Sequence, residues 1–171
     1  MSAVVIRQAT AADAKALAAL IGELLALHDT SAPERLDRAL VRDGFGPAPR
    51  FEALIAEADG VALGMALFYP GYRPSLMAPG LVLEDLHVRA EARGKGIGRR
   101  LLARLATIAG ARGCAYVEWT VAADNDGARA FYHRLGAGER KGKTAYCLDA
   151  TALAVLAVQD GPLAGTQGGT G

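Results

Sequence analysis

Side chains that build disulfide frameworks and metal centres are scarce in this chain: 171 residues hold two cysteines, three histidines and one tryptophan. Cys114 and Cys147 are too few for a disulfide scaffold and lack metal-ligand spacing, so a reducing cytoplasm and no metal are expected. Charge of one sign is missing too. Nineteen Lys and Arg face eighteen Asp and Glu, net +1, which argues against a dedicated nucleic-acid binder. No apolar run approaches the roughly 20 residues of a membrane helix, and "MSAVVIRQAT" lacks the basic-then-apolar order of a signal peptide. What the chain does have is 51% hydrophobic residues and 21 glycines. That suits one core in one domain over 1–160, with a glycine-rich tail, 161–171, expected to be disordered.

The pattern of residues gives an order of elements. "VVIRQA" (4–9) reads as a strand, and Leu17, Leu20, Ile21, Leu24 and Leu25 recur at helical spacing after a Thr10–Asp13 capping box. A second helix is expected in "SAPERLDRALV" with Ser31 as cap, then a loop over 42–50. Strands 51–58 and 61–69 join at Asp59-Gly60, a hairpin signal. An irregular loop is expected over 70–80, a strand over 81–88, a glycine turn, and a helix to about Arg112. Strand 114–121, helix 125–136, strand 144–149 and a short helix from Ala150 complete the order. Strands alternating with helices in this way make a mixed α/β fold with helices packed on one sheet.

The glycine turn carries the first chemistry. In "RGKGIG" (93–98), Gly94, Gly96 and Gly98 fall just before or within the first turn of a helix. The leading N–H groups of a helix have no internal partner, and glycines let a phosphate approach them closely. Arg93, Lys95, Arg99 and Arg100 add positive charge. The spacing fits neither a dinucleotide fingerprint nor a P-loop. Downstream, "DNDGARAFYHRLGA" sets Asn125 seven residues before Tyr132 of an F-Y pair.

Together these motifs resemble the GCN5-related N-acetyltransferase (GNAT) superfamily over roughly Val4 to Asp149. "DGFGPAPRFEALIAE" and "LVLEDLHVRAEARGKGIG" are similar to its diamine and thialysine acetyltransferase branch. The resemblance implies a mainly antiparallel twisted sheet flanked by helices, acetyl-CoA as co-substrate and a homodimer. It places the coenzyme pyrophosphate on Arg93, Gly94, Lys95, Gly96, Ile97, Gly98 and Arg99, and the pantetheine arm on the backbone of Leu86, His87 and Val88, with Asn125 nearby.

Two carboxylates interrupt the apolar strand "LVLEDLHV". Strict alternation puts Glu84 with Val82 and Leu86, and Asp85 on the other face with His87, unless a bulge intervenes. An alkylammonium must lose a proton before it attacks a thioester, and a partly desolvated carboxylate suits that task. The resemblance assigns it to Glu84 and makes Tyr132 the acid for the leaving thiolate. Asp85 could hold the ammonium group or be purely structural. His87, without a visible partner, is read as structural in its side chain, as are His28 and His133; Trp119 is read as core. For the acceptor, a small-molecule primary amine, Asp29 and Arg73 are candidates. Arg73 would repel a polyamine and bind a carboxylate, so a lysine-like amino acid stands beside a diamine. A protein lysine, or a non-catalytic acyl-CoA-binding module, are the alternatives.

Overall fold

The computed structural model describes residues 3–140 and 146–157. Its contacts divide the chain into Met1–Leu135 and Gly136–Gly171. In the first unit, five strands lie in sequence order. β1 (Val5–Gln8), β2 (Glu52–Ala58), β3 (Val61–Arg73) and β4 (Ala78–Val88) are antiparallel neighbours, and β5 (Val117–Glu118) joins β4 in parallel. One face of the sheet takes α1 (Ala14–Ala26) and α2 (Leu36–Gly44), which bury Leu17, Leu20, Ile21 and Leu40 against Ile55, Met65 and Leu67. The other takes α3 (Ile97–Ala111), whose Ile97, Leu101 and Leu105 pack on Leu54, Phe68, Leu81 and Leu83. α4 (Asp126–Arg134) follows β5. This is the mixed, mainly antiparallel sheet with flanking helices that the sequence led us to expect. No helix among the described residues is long and apolar enough to cross a membrane.

Local signals worked where their partners were close in sequence. The capping box forms, with Asp13 Oδ2 accepting from the Thr10 backbone N–H at 2.8 Å. Asp59 and Gly60 adopt φ of 52° and 76°, the left-handed pair of a tight hairpin.

Four expectations need correction. α2 begins at Leu36 rather than at a Ser31 cap: Pro33 disfavours helical backbone at Ala32, and Arg35 turns left-handed (φ 58°) immediately before the helix. It also runs on to Gly44, into the expected loop. The loop expected over 70–80 is mostly strand. β2 ends opposite Phe68, so Pro70 stands where β3 has only β4 beside it and costs no ladder bond. Only Pro74–Leu76 and the left-handed Met77 turn the chain. Strand 114–121 shortens to Val117–Glu118, because β5 keeps company with β4 at just two residue pairs.

In the second unit, α5 (Ala150–Ala157) forms as expected, with Asp149 Oδ1 accepting from Ala152 N–H at 2.8 Å. Of the strand expected at 144–149, residues 144–145 lie outside the described residues and 146–149 are irregular. The tail 161–171 lies outside them as well.

Candidate active site

β4 carries one residue too many. Phe68 on β3 pairs with Leu83 and Leu67 pairs with Asp85, so Glu84 is the extra residue of a β-bulge. Its effect shows in the packing: Leu81 and Leu83 face the α3 side, and so do Leu86 and Val88 past the bulge. The alternation expected across "LVLEDLHV" is therefore broken between its two carboxylates. Leu86 and Val88 go to the core, whereas Asp85 turns toward α1. Glu84 stands exposed, held by the Tyr69 hydroxyl, which donates to its Oε2 at 3.0 Å.

Past Leu81–Val117 and Val82–Glu118 the two parallel strands separate. A cleft of about 220 Å³ opens there. Ile21, Leu24 and Leu25 of α1, with His28 just past its end, wall one side; Glu84, Asp85 and Leu86 form its edge on β4; and Trp119 to Ala122, Asn125 and Tyr132 close the other. Asp85 is partly buried among these groups. Desolvation, reinforced by the neighbouring Glu84 charge, raises its pKa above the ordinary aspartate range, against a smaller opposing effect of His87. Burial also raises the Tyr132 phenol. That ring stacks at a tilt on Trp119, centroids 5.0 Å apart, and on Phe131 at 5.2 Å. Trp119 thus packs on the core and lines the cleft at once.

The glycine turn begins just past the same strand. Gly94 and Gly96 have φ of 74° and 75°, with nothing within 4 Å of where a Cβ would stand, so the approach to the backbone is open. Gly96 caps α3, whose first internal bond runs from Arg100 N–H to the Gly96 carbonyl at 3.0 Å. The N–H groups of Ile97, Gly98 and Arg99 precede that bond. Ile97 contributes only backbone, because its side chain is buried in the core. Gly98 lies in ordinary contact distance of Phe131, 3.4 Å from where its Cβ would be, so it serves the packing of α4. Arg93, Lys95 and Arg99 are exposed, and Arg93 also donates from Nε to the Val88 carbonyl at 2.9 Å. Asn125 caps α4, its Oδ1 accepting from Ala128 N–H at 3.0 Å.

The structure thus gathers Glu84, Asp85, Leu86, Asn125 and Tyr132 at one cleft and leaves Asp29 and Arg73 off its walls. Asp29 is exposed past the end of α1, in left-handed backbone. Arg73 is engaged elsewhere: its guanidinium pairs with Glu118 and lies 4.0 Å over the Tyr116 ring. Sequence reasoning overlooked Tyr69 and the partner of His87. His87 is the one buried polar or charged residue in the core among the described residues, and its Nε2 lies 3.1 Å from Glu23 Oε2 on α1. Glu23 Oε1 accepts in turn from Arg89 Nε at 3.0 Å. His28, read as structural, lines the cleft.

A sheet that splays beside a glycine-capped helix, with carboxylates and a phenol at the opening, is the layout of an acyltransferase. The sequence family described as Acetyltransferase (GNAT) family matches residues 21–137, and the chain belongs to it; it is an N-acetyltransferase. A thialysine N-epsilon-acetyltransferase of Bos taurus is 33% identical over 146 residues, covering 80% of this chain and 85% of that protein. A spermidine/spermine N(1)-acetyltransferase-like protein 1 of Homo sapiens is 35% identical over 140 residues, 77% of this chain and 20% of that one. Among solved structures, an integron cassette protein from the mobile metagenome of V. cholerae superposes with a TM-score of 0.78 at 28% identity, covering 92% of this chain and 98% of its own.

Proposed function

We propose that this enzyme moves the acetyl group of acetyl-CoA to the primary amine of a small molecule, a lysine-like amino acid or a diamine, by direct transfer between two bound substrates. The observation that carries the reading is the cleft itself, where the Glu84–Asp85 pair and Tyr132 converge on the strand that leads into the glycine turn. Of the two named relatives, one is a thialysine N-epsilon-acetyltransferase and the other is named for its likeness to a spermidine/spermine N(1)-acetyltransferase.

In this reading the N–H groups at the head of α3, with Arg93, Lys95 and Arg99, hold the pyrophosphate. The backbone of Leu86, His87 and Val88 faces the gap where β5 has departed and takes the pantetheine amides as an added strand, with Asn125 at its side. One of those N–H groups polarises the thioester carbonyl. Glu84 accepts a proton from the alkylammonium; the freed nitrogen bonds to the acetyl carbon; the carbon–sulfur bond breaks; and Tyr132 gives its phenolic proton to the departing sulfur. The second proton shed by the nitrogen as it becomes an amide restores the phenol, while Glu84 releases its own proton to water. Burial that raises the phenol keeps it protonated at neutral pH, as an acid must be. Tyr69 steadies Glu84 through the hydroxyl that donates to its Oε2.

Purified protein incubated with acetyl-CoA and a panel of amines, with products followed by mass, tests the proposal. Acetylation of one amine is the expected result. Tight coenzyme binding without turnover on any amine would favour a binding module instead.

A further inference from the structure

Arg73 and Glu118 lie 45 residues apart in sequence yet meet on the sheet face that carries Glu84. Val117 and Trp119 pack toward α3, so Glu118 between them points the opposite way, to the α1 side. Tyr69 and Arg73 share that face with Leu67 by alternation along β3. Register fixes the spacing. Tyr69 pairs with Val82, and Val82 pairs with Glu118, so the three residues stand side by side across the sheet. Strands lie about 4.8 Å apart, and Glu84 is two residues beyond Val82, which puts Glu84 and Glu118 backbones about 8 Å from each other. Tyr116 lies flat over Gly80, where a Cβ would overlap its ring, and its hydroxyl reaches Gly71. Arg73 rests on that ring, so the guanidinium has a fixed platform. Neither charge is sealed: the side chain of Arg73 is 21% exposed and that of Glu118 37%.

We infer that Arg73 and Glu118 together read the far end of the acceptor and select a zwitterionic amino-acid tail over a second ammonium. This rests on the acetyltransfer proposed above. The five bonds from the ε-nitrogen of a lysine-length acceptor to its α-carbon span about 6 Å, so an amine at Glu84 brings its α-carbon beside the pair. An α-ammonium then meets Glu118 and the α-carboxylate meets Arg73, four charges alternating in sign. A diamine of the same length presents an ammonium to the same place without an anion for Arg73, whose positive charge opposes it.

Lysine and 1,5-diaminopentane, its decarboxylated counterpart, are the matched probes. The quantity read is the ratio of kcat/KM for the amino acid to that for the diamine. Wild-type enzyme favours the amino acid. Arg73→Ala lowers the ratio by about tenfold or more, the loss of a charge-assisted contact. Glu118→Gln raises it, because the diamine loses its anion and still faces Arg73, while the carboxylate keeps its partner. Opposite signs from two halves of one ion pair cannot come from general loosening of the fold. A wild-type preference for the diamine, equal ratios in all three proteins, or shifts in one direction would overturn the assignment. So would turnover of other amines with neither probe accepted. Failure with every amine would instead overturn the acetyltransfer reading on which the assignment stands.

Discussion

At the scale of single residues, the bulge gives two adjacent carboxylates different surroundings. Glu84 is exposed and bonded to a phenol, while Asp85 is turned into the cleft and its pKa is raised by desolvation. If Glu84 takes the substrate proton, Glu84→Gln lowers kcat by at least about a hundredfold with little change in acetyl-CoA affinity, measured by steady-state kinetics and calorimetric titration. Tyr132→Phe lowers kcat by about tenfold or more and leaves the ring packed on Trp119. Asp85 makes a separate prediction about stability. A carboxylate raised in the folded state holds its proton where the unfolded chain has lost it, so folding stability falls as pH climbs from the ordinary aspartate range through the raised one. Asp85→Asn removes that fall. Thermal melting of both proteins between pH 3 and pH 7 should show the variant gaining on the wild type as pH increases.

At the scale of elements, ionic clusters tie neighbouring segments together. Arg7 of β1 reaches both Asp13, at 2.8 Å, and Glu57 of β2, at 2.6 Å. The guanidinium and the Thr10 N–H hold Asp13 at a pKa of about 2. Its contribution is thus present above the normal aspartate range and disappears as pH falls toward 2. Asp13→Asn should cost about 1–2 kcal/mol at pH 7, allowing for the partial exposure of Arg7, and much less near pH 2. Urea denaturation at the two pH values checks it. A second cluster, His87–Glu23–Arg89, latches α1 to β4. Glu23→Ala leaves a buried imidazole nitrogen without its acceptor and should cost about 1–3 kcal/mol. Because α1 walls the cleft, the same variant should raise KM for the amine more than for acetyl-CoA. Sequence could reveal the elements but not these ties. The capping box and the Asp59-Gly60 turn span three residues or fewer, and both were legible. His87 finds Glu23 across 64 residues, and Arg73 finds Glu118 across 45, so no local pattern announces either. The bulge was foreseen only as an exception to alternation. Its position depends on how β3 and β4 register, which a single strand does not encode.

For the whole molecule, a net charge of +1 means that attraction of the proposed polyanionic coenzyme depends on where charge sits rather than on its sum. Arg93, Lys95 and Arg99 are exposed together at the head of α3. KM for acetyl-CoA should rise with ionic strength, and replacing Lys95 and Arg99 by glutamine should flatten that rise, as kinetics from 20 to 300 mM salt would show. The cleft between β4 and β5 opens where β4 has a residue to spare. That makes β4 sensitive to length in a way it is not to composition. Replacing Glu84 leaves the strand's two halves in phase with their respective cores; deleting it would shift one half by a single position and exchange its inward and outward faces. Either Leu81 and Leu83 would leave the α3 core, or Leu86 and Val88 would trade places with Asp85 and His87. In any lineage of this chain, substitutions can retune the site one group at a time, while a single-codon deletion here would dismantle the wall that holds it.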